Sequence, residues 1–238
     1  MKKFLIQIAN SVEIRTVLRH TMLCNGGTCK VHRCKLEDIE NLSSIYSDYV
    51  PVGSVEFIEQ FSIRFSIELR ASNTYPIEIR DYLGRDIWET TLGEAKLYTY
   101  PVFIKPEAMK KFTGFVYGID TPEQDFLDAP DSTKVYCSLP IEFVSEYRYY
   151  INGNTILGFG RYDQSETENA PEPDLSIVNE CIERLNLGRP FSLDLGVLSN
   201  GNTVLVEYHE FYALGLYDKA LSPEVYSNLL YDSWKSLS

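Results

Sequence analysis

Two carboxylates, Asp194 and Glu207, stand at equal distances from a dipeptide that favours a tight turn, Asn200-Gly201. This dipeptide between apolar runs predicts a two-residue hairpin loop, and counting outward pairs residue 194 with residue 207. Like charges that face each other across a hairpin repel unless a cation lies between them, and such oxygen pairs hold Mg²⁺ beside a phosphate. The pattern predicts a metal site, with a solvated acidic sheet face as the alternative. Asp194→Asn should then leave the metal-free fold as stable as before, or slightly more so.

A histidine, His209, follows Glu207 by two residues and is therefore expected on the same face of the strand. We interpret it either as a metal or substrate contact or as an ordinary core or surface histidine, and the sequence leaves both open.

Two lysines suit phosphate binding. Lys105 closes the apolar strand VFIKP (102–106), where a buried ammonium needs an anion. Lys111 lies in KKFTG (110–114), a segment with the lysines and glycine of a loop that closes over phosphates. For Lys105 the alternative is a solvated lysine at a sheet edge.

The next predicted strand carries acids and arginines on one face. Strict alternation places Glu142, Val144, Glu146 and Arg148 on the same side. A turn signal at 152–153 predicts a hairpin that sets Arg161 diagonal to Glu146. This density of charge indicates a binding site, and a simple ion pair between Arg148 and Glu146 is the alternative.

The elements that position these residues follow from hydrophobic periodicity and turn signals. We expect an N-terminal α/β domain at 1–85 with a strand at 3–8, helices at 12–20 and 36–49, and a strand or helix at 61–69. We expect a second domain at 86–238 with strands at 96–105 and 115–117, a long hairpin of 135–151 with 155–161, a connection at 163–174, a helix at 174–186, the carboxylate hairpin and a helix from 222.

The composition indicates a globular chain of 238 residues with 44% hydrophobic residues. Its 22 Lys and Arg against 34 Asp and Glu give a net charge of −12, which opposes broad contact with nucleic acid. No apolar run approaches the roughly 20 residues of a membrane helix, and the opening MKKFLIQIAN turns polar too early for a signal peptide. We therefore expect a cytoplasmic protein with no membrane contact.

Five cysteines suit a reducing compartment better than a disulfide framework. Cys24, Cys29, His32 and Cys34 resemble a zinc cluster, but the spacing C-x4-C-x2-H-x-C lacks a second CxxC pair. We therefore expect a metal-free loop around Asn25-Gly26-Gly27 with reduced or buried thiols.

Four segments in order resemble the ATP-grasp superfamily of carboxylate–amine ligases: VFIKP, KKFTG, PIEFVSEYRYYINGNTILG and FSLDLGVLSNGNTVLVEYH. Within the superfamily, the chain resembles the short clade built around one arginine and two lysines, and PVGSVEF (51–57) is similar to the opening domain of that clade. The likeness covers most of residues 51–217. It implies an α/β (α+β) ATP-grasp fold with a small N-terminal α/β domain and ATP between two β-layers.

The resemblance also implies site residues. Lys105 matches the lysine on the nucleotide phosphates, Lys111 the second lysine of the clade and Arg148 its arginine, while Lys96 is a weaker match to an earlier phosphate lysine. The segment Glu142-Phe143-Val144 matches the adenine hinge, Glu146 the ribose-binding acid, and Asp194 with Glu207 the Mg²⁺ ligands.

Two departures from the family pattern stand out. His209 occupies the place of the usual asparagine in Glu-x-Asn, and imidazole is a poor ligand for Mg²⁺ but a better one for Mn²⁺ or Zn²⁺. Ser192 stands where ligases of the D-alanine type have an arginine on the transferred phosphate, so Arg148 or Arg161 would have to supply that charge.

The implied reaction uses ATP and Mg²⁺, with Mn²⁺ as a second candidate, to convert a carboxylate into an acyl phosphate that an amine then attacks. The expected partners are a small-molecule or peptide carboxylate and an amine. The alternative is a non-catalytic ATP-binding or interaction module with the same fold, which the change to His209 favours.

Overall fold

The computed structural model of this chain describes residues 1–24, 27–71, 73–108, 111–163, 169–217 and 219–237. Asn25, Gly26, Lys110 and part of the predicted connection at 163–174 lie outside these residues.

A three-stranded parallel sheet of order β2-β1-β3 forms the N-terminal layer. Its elements are β1 (Lys2–Gln7), α1 (Val12–Leu23), β2 (Cys29–Cys34), β3 (Val50–Val52) and α2 (Val55–Phe65). The first predicted strand and helix are confirmed. Residues 61–69 contain the end of α2, which Ser66 terminates in the left-handed conformation (φ 54°).

The predicted helix at 36–49 is wrong. The chain forms two short 3₁₀ turns there, at Leu36–Asn41 and Ser44–Tyr46, and Leu42 between them is extended. Serine, asparagine and aspartate are frequent in this stretch, and their side chains compete with helical backbone hydrogen bonds.

An antiparallel sheet of order β4-β7-β5-β6 follows. Its elements are β4 (Ile87–Thr91), α3 (Leu92–Ala95), β5 (Val102–Pro106), β6 (Phe115–Tyr117), α4 (Gln124–Asp128) and β7 (Lys134–Ser138). The predicted strand at 96–105 is correct only in its second half. A capping box of Thr91 and Glu94 starts α3, and Lys96 caps the C-terminal end of that helix.

A second antiparallel sheet has the order β11-β10-β8-β9. Its elements and the helices around it are β8 (Phe143–Asn152), β9 (Thr155–Arg161), α5 (Leu175–Leu185), β10 (Pro190–Leu198), β11 (Thr203–Glu210) and α6 (Pro223–Lys235). The predicted continuous strand at 135–151 is wrong, because β7 and β8 belong to different sheets. Pro140 lies in the break between them, where no strand pairing requires the backbone N–H that proline lacks.

The two later helices begin as the sequence predicts, and α5 also ends where it predicts. Asp174 accepts a hydrogen bond from the Ser176 N–H at the start of α5, and Ser222 caps α6, which has Pro223 at its first position. Helix α6 packs on the N-terminal layer, with the Phe61 and Trp234 ring centroids 5.8 Å apart. The boundary at residues 85 and 86 stays a prediction. Across the described ranges, no helix is both long and apolar enough to span a membrane.

Candidate active site

The turn of the carboxylate hairpin differs from the prediction. The Leu198 N–H donates to the Asn202 carbonyl at 2.9 Å, so three residues rather than two form the loop. Gly201 adopts the left-handed conformation there (φ 85°), as is common in three-residue hairpin loops.

The two carboxylates nevertheless face each other, because β11 contains a bulge. Leu195 pairs with Leu205, whereas the next pair along the strand is Asp194 with Glu207. Val206 is the extra residue, and it shifts the register by one position. The longer loop and the bulge shift the register by one residue in opposite directions. Asp194 therefore pairs with Glu207 as predicted, although the predicted turn is wrong.

The cation beside Asp194 is Arg148 on the neighbouring strand β8. Its Nε donates to Asp194 Oδ1 at 2.7 Å and its Nη2 to Asp194 Oδ2 at 2.6 Å. Burial alone would raise the pKa of the fully buried Asp194, but the guanidinium outweighs it and holds that pKa well below its usual range. Arg148 therefore relieves the repulsion that the sequence suggested, and its partner is Asp194 rather than Glu146.

Lys105 and His209 complete what we call the ion cluster: Lys105, Arg148, Asp194, Glu207 and His209. The Lys105 ammonium contacts the Glu207 carboxylate. His209 Nε2 lies 3.0 Å from Glu207 Oε1 and 3.1 Å from Arg148 Nη2. Burial lowers the pKa of Lys105 to about 8 and lowers the pKa of His209 below its ordinary value, so the imidazole is mainly neutral at neutral pH.

The ion cluster contains a donor set that fits a divalent cation. One ligand atom each from Asp194, Glu207 and His209 lies within 4.8 Å of the other two. Carboxylates bind Mg²⁺ and Mn²⁺, and the imidazole suits Mn²⁺ better. Two cations already balance the two acids, so a metal ion fits best when Lys105 leaves Glu207 for another anion, such as a phosphate.

A cavity of about 290 Å³ lies beside the ion cluster, between the two antiparallel sheets. Phe103, Phe143 and Glu146 line it, together with Lys105 and Glu207. Apolar walls with a few charged groups are typical of a small-molecule site. Burial raises the pKa of Glu146 to about 7, and the nearby Asp194 carboxylate acts in the same direction.

Phe143 lines this cavity beside Glu146, whereas strict alternation along the strand predicted Val144 on the same face as Glu146. The register of β8 against β10 shifts near its start, and Val144 is the extra residue. Phe143 consequently lies on the same side of the strand as Glu146. The side chains of Glu142 and Val144 are exposed and do not line the cavity within the described part of the chain. A role for their backbone as the adenine hinge stays a prediction.

Arg161 is not placed as the sequence predicted. It lies opposite Tyr147 rather than diagonal to Glu146. The turn is one residue later than predicted, because Asn152 pairs with Thr155, and an irregularity in the register between Tyr150 and Ile151 moves Arg161 one position further. Its guanidinium donates to Asp163 at 2.6 and 2.7 Å. The predicted position beside Glu146 is therefore wrong, and a contact with substrate remains only a prediction.

Two predicted phosphate lysines lie apart from the ion cluster. Lys96 pairs with Asp131 at 2.9 Å. Lys111 lines a second, open cleft of about 580 Å³, which Arg70 and Lys134 also line. Neither lysine is among the described residues that surround the smaller cavity.

No sequence pattern indicated Arg85, which donates hydrogen bonds to backbone carbonyls at the β11 bulge. Its guanidinium donates to the carbonyls of Leu205 and Val206 at 3.1 and 3.2 Å. Gly84 (φ 63°) permits the approach, because a Cβ there would lie 2.6 Å from a methyl group of Val204. Arg85 also lines the cavity of about 290 Å³, and burial lowers the pKa of its guanidinium. We interpret Arg85 as a residue that positions Glu207.

Two antiparallel sheets enclose a cavity beside a lysine, an arginine and paired acids, which is the arrangement that the resemblance to the ATP-grasp superfamily implied. The family model described as "ATP-grasp domain, R2K clade family 2" matches residues 82–229, which is more than half of the chain. The chain therefore belongs to this family. The predicted fold and clade are confirmed, and the class of enzyme that they define is an ATP-dependent carboxylate–amine ligase.

Solved structures support the same fold. The chain is similar to the ATP-grasp ligase PsnB complexed with a minimal precursor (12% identity, TM-score 0.57, 100% of this chain and 99% of that one covered). It is also similar to D-alanine–D-alanine ligase from Bacillus anthracis complexed with ATP (14%, 0.55, 100% and 99%). A third is a Chryseobacterium gregarium RiPP-associated ATP-grasp ligase in complex with ADP and a leader and core peptide (14%, 0.52, 97% and 96%). At these identities the likeness shows the fold alone. No curated protein matches the sequence.

Proposed function

We propose that ATP binds in the cavity between the two antiparallel sheets, with its phosphates at the ion cluster, and that the chain uses it to activate a carboxylate. The observation that carries this proposal is the continuity of Phe143 and Glu146 with Lys105 and Glu207 around one cavity. The aromatic ring suits a base, the acid suits ribose hydroxyls and the ammonium suits phosphate.

In the proposed complex Lys105 exchanges Glu207 for phosphate oxygens. Asp194, Glu207 and His209 would hold a divalent ion, either Mg²⁺ or Mn²⁺, and such an ion offsets the negative charge of the phosphates. Arg148 keeps Asp194 ionised and oriented, because it donates to both carboxylate oxygens. Lys111 is the candidate second lysine from the neighbouring loop.

The proposed chemistry has two steps that need no nucleophile from the protein. A carboxylate oxygen of the substrate attacks the γ-phosphorus, and ADP leaves. The amine nitrogen then attacks the carbonyl carbon of the acyl phosphate and loses a proton, and phosphate departs with the oxygen that bridged carbon and phosphorus. The site contributes orientation and compensation of charge.

We propose that the carboxylate substrate enters through the larger cleft, and that a peptide is the first class to test. Three cations line this cleft against the two acids Glu59 and Glu107, and Arg70 also pairs with Glu210, so Lys111 and Lys134 are the groups that can attract an anionic substrate. The peptide class is suggested by two similar ligases, complexed with a minimal precursor and with a leader and core peptide. A cytoplasmic location, where ATP is abundant, is consistent with the five free thiols.

A non-catalytic ATP-binding module is the second candidate. It is favoured by the charge balance within the ion cluster, where Lys105 pairs with Glu207 and Arg148 with Asp194.

Isotope transfer separates the two candidates. Peptide or amino-acid pools labelled with ¹⁸O in their carboxylates are incubated with ATP, an amine donor and Mg²⁺ or Mn²⁺. We expect ADP release and ¹⁸O in the liberated phosphate, with both lost in Glu207→Gln. Label in AMP would contradict an acyl phosphate, and ATP binding with no ADP above the Glu207→Gln level would favour the non-catalytic module.

A further inference from the structure

A second group of metal-binding side chains lies in the N-terminal layer, away from the ion cluster. It consists of His20 near the end of α1, Cys24 at its C-cap and Cys29 at the start of β2. His20 and Cys24 are one helical turn apart and therefore share a face of the helix. Cys29 returns to that face on the adjacent strand.

The distances within this group resemble the ligand shell of zinc. His20 Nε2 lies 3.6 Å from Cys24 Sγ and 3.7 Å from Cys29 Sγ, and the two sulfur atoms are 3.2 Å apart. Around tetrahedral zinc, with bonds of about 2.0 Å to nitrogen and about 2.3 Å to sulfur, ligand atoms stand about 3.5 Å (N to S) and about 3.8 Å (S to S) apart. Both nitrogen–sulfur distances fit, and the sulfurs need to separate by only about 0.6 Å.

Burial makes the group a pocket with one open side. His20 and Cys29 are each 8% exposed, whereas Cys24 is half-buried. An ion can approach past Cys24 while the other two ligands stay fixed by the core. Two thiolates and an imidazole select Zn²⁺ over Mg²⁺, because soft ligands disfavour hard cations.

We propose that His20, Cys24 and Cys29 bind one zinc ion, with water at the fourth position. The two thiols release their protons to solvent on binding, so two thiolates balance the charge of the ion. The ion joins the end of α1 to the first residue of β2 and stabilises the N-terminal layer as a ligand of the folded state.

This proposal replaces the expectation of a metal-free loop, which rested on a different residue set. Cys34 Sγ contacts the Lys35 carbonyl at 3.1 Å, and the His32 ring packs on Tyr46 with centroids 4.4 Å apart. Neither belongs to the group around His20, so both serve as matched controls.

Cobalt(II) is the probe that tests the site, because thiolate coordination gives it intense charge-transfer absorption and the ion cluster has no sulfur. Reduced, chelator-treated protein is titrated with Co²⁺ and then with Zn²⁺. We expect one Co²⁺ per chain with a thiolate band, displacement of that band by Zn²⁺, and at least a tenfold loss of affinity in His20→Ala, Cys24→Ser and Cys29→Ser. His32→Ala and Cys34→Ser should bind as wild type does.

Two results would overturn the proposal. One is the absence of a thiolate band in wild type after full reduction. Reduction opens any disulfide between Cys24 and Cys29, so such a bond cannot account for a missing band. The other is unchanged affinity in Cys24→Ser, the variant least able to disturb the core. The wild-type titration decides the matter even if a variant at a buried position fails to fold.

Discussion

Asp194→Asn should destabilise the metal-free protein, although the two side chains have nearly the same shape. The change removes the charge that balances Arg148, which is only 6% exposed. Asparagine offers one acceptor oxygen in place of the two that Arg148 now uses. Its amide NH₂ group would face a guanidinium N–H, so two donors would meet without an acceptor. This expectation reverses the one from the sequence, which considered only the repulsion between Asp194 and Glu207.

The magnitude follows from the geometry of the pair. Breaking a buried ion pair by removing one partner costs about 3–5 kcal/mol, and the one retained hydrogen bond places this case near 3 kcal/mol. Relief of the repulsion across the hairpin offsets less than about 1 kcal/mol. For a chain of this size, about 3 kcal/mol corresponds to a melting temperature lower by roughly 6–12 °C.

Urea unfolding at pH 7 with a chelator measures this cost. Asp81→Asn is the matched control, because its pair with Arg184 is exposed (83% and 46%) and should contribute about 0.5 kcal/mol or less. The double change Asp194→Leu with Arg148→Met should cost clearly less than the two single changes added together. A loss below about 1 kcal/mol in Asp194→Asn would refute the role assigned to the buried pair.

Three further predictions test neighbouring residues. Lys105→Ala should remove most of the stabilisation by saturating ATP, about 2.7 kcal/mol at a hundredfold excess over Kd, whereas Lys96→Ala should keep it; equal losses in thermal-shift assays would contradict the assignment. Burial raises the folded-state pKa of Glu146 from 4.5 to about 7. Between those pH values the unfolded chain releases this proton while the folded chain keeps it, so the folded protein loses stability as pH rises. The stability of Glu146→Gln relative to wild type should therefore rise by on the order of 1–2 kcal/mol between pH 5 and 8, and an advantage of the variant that shrinks as pH rises would contradict this sign. Arg85→Met should cost about 2–3 kcal/mol and weaken metal-dependent ATP binding, because the β11 bulge loses its donors; unchanged binding at reduced stability would leave Arg85 a purely structural residue.

Local rules explain most of what the sequence predicted correctly. Helices α5 and α6 begin at Asp174 and Ser222, residue types that are typical of helix N-caps. Helix α5 ends at Asn186, which adopts the left-handed conformation. These signals act within a few residues of the boundary. The helix expected at 36–49 failed because a hydrophobic stripe alone does not outweigh serine, asparagine and aspartate in the same stretch.

Bulges explain where strand counting failed. One irregularity placed Glu207 opposite Asp194 despite a wrong turn. Another, together with a turn one residue later than predicted, placed Arg161 opposite Tyr147 instead of diagonal to Glu146. A one-residue shift transfers every side chain beyond it to the other face. The β11 bulge depends on Arg85, which is more than a hundred residues distant in sequence, so nothing near the hairpin could have indicated it.

The ion pairs of the site could not be predicted from the sequence either. Arg148 meets Asp194 because β10 lies beside β8, a sheet order that hairpin signals do not specify. The cysteine segment shows the same limit, since His20 completes its ligand group from a helix outside the segment.

Calorimetric titration with ATP tests the central claim most directly, namely that the ion cluster binds the phosphates and a divalent ion together. Wild type, Glu207→Gln and the control Asp81→Asn are each titrated with ATP in the presence of Mg²⁺, Mn²⁺ or chelator. We predict one ATP per chain for wild type and for the control, with affinity at least tenfold higher when metal is present, and no metal dependence in Glu207→Gln. Failure of wild type to bind ATP with either metal, or an undiminished metal effect in Glu207→Gln, would contradict the proposed site.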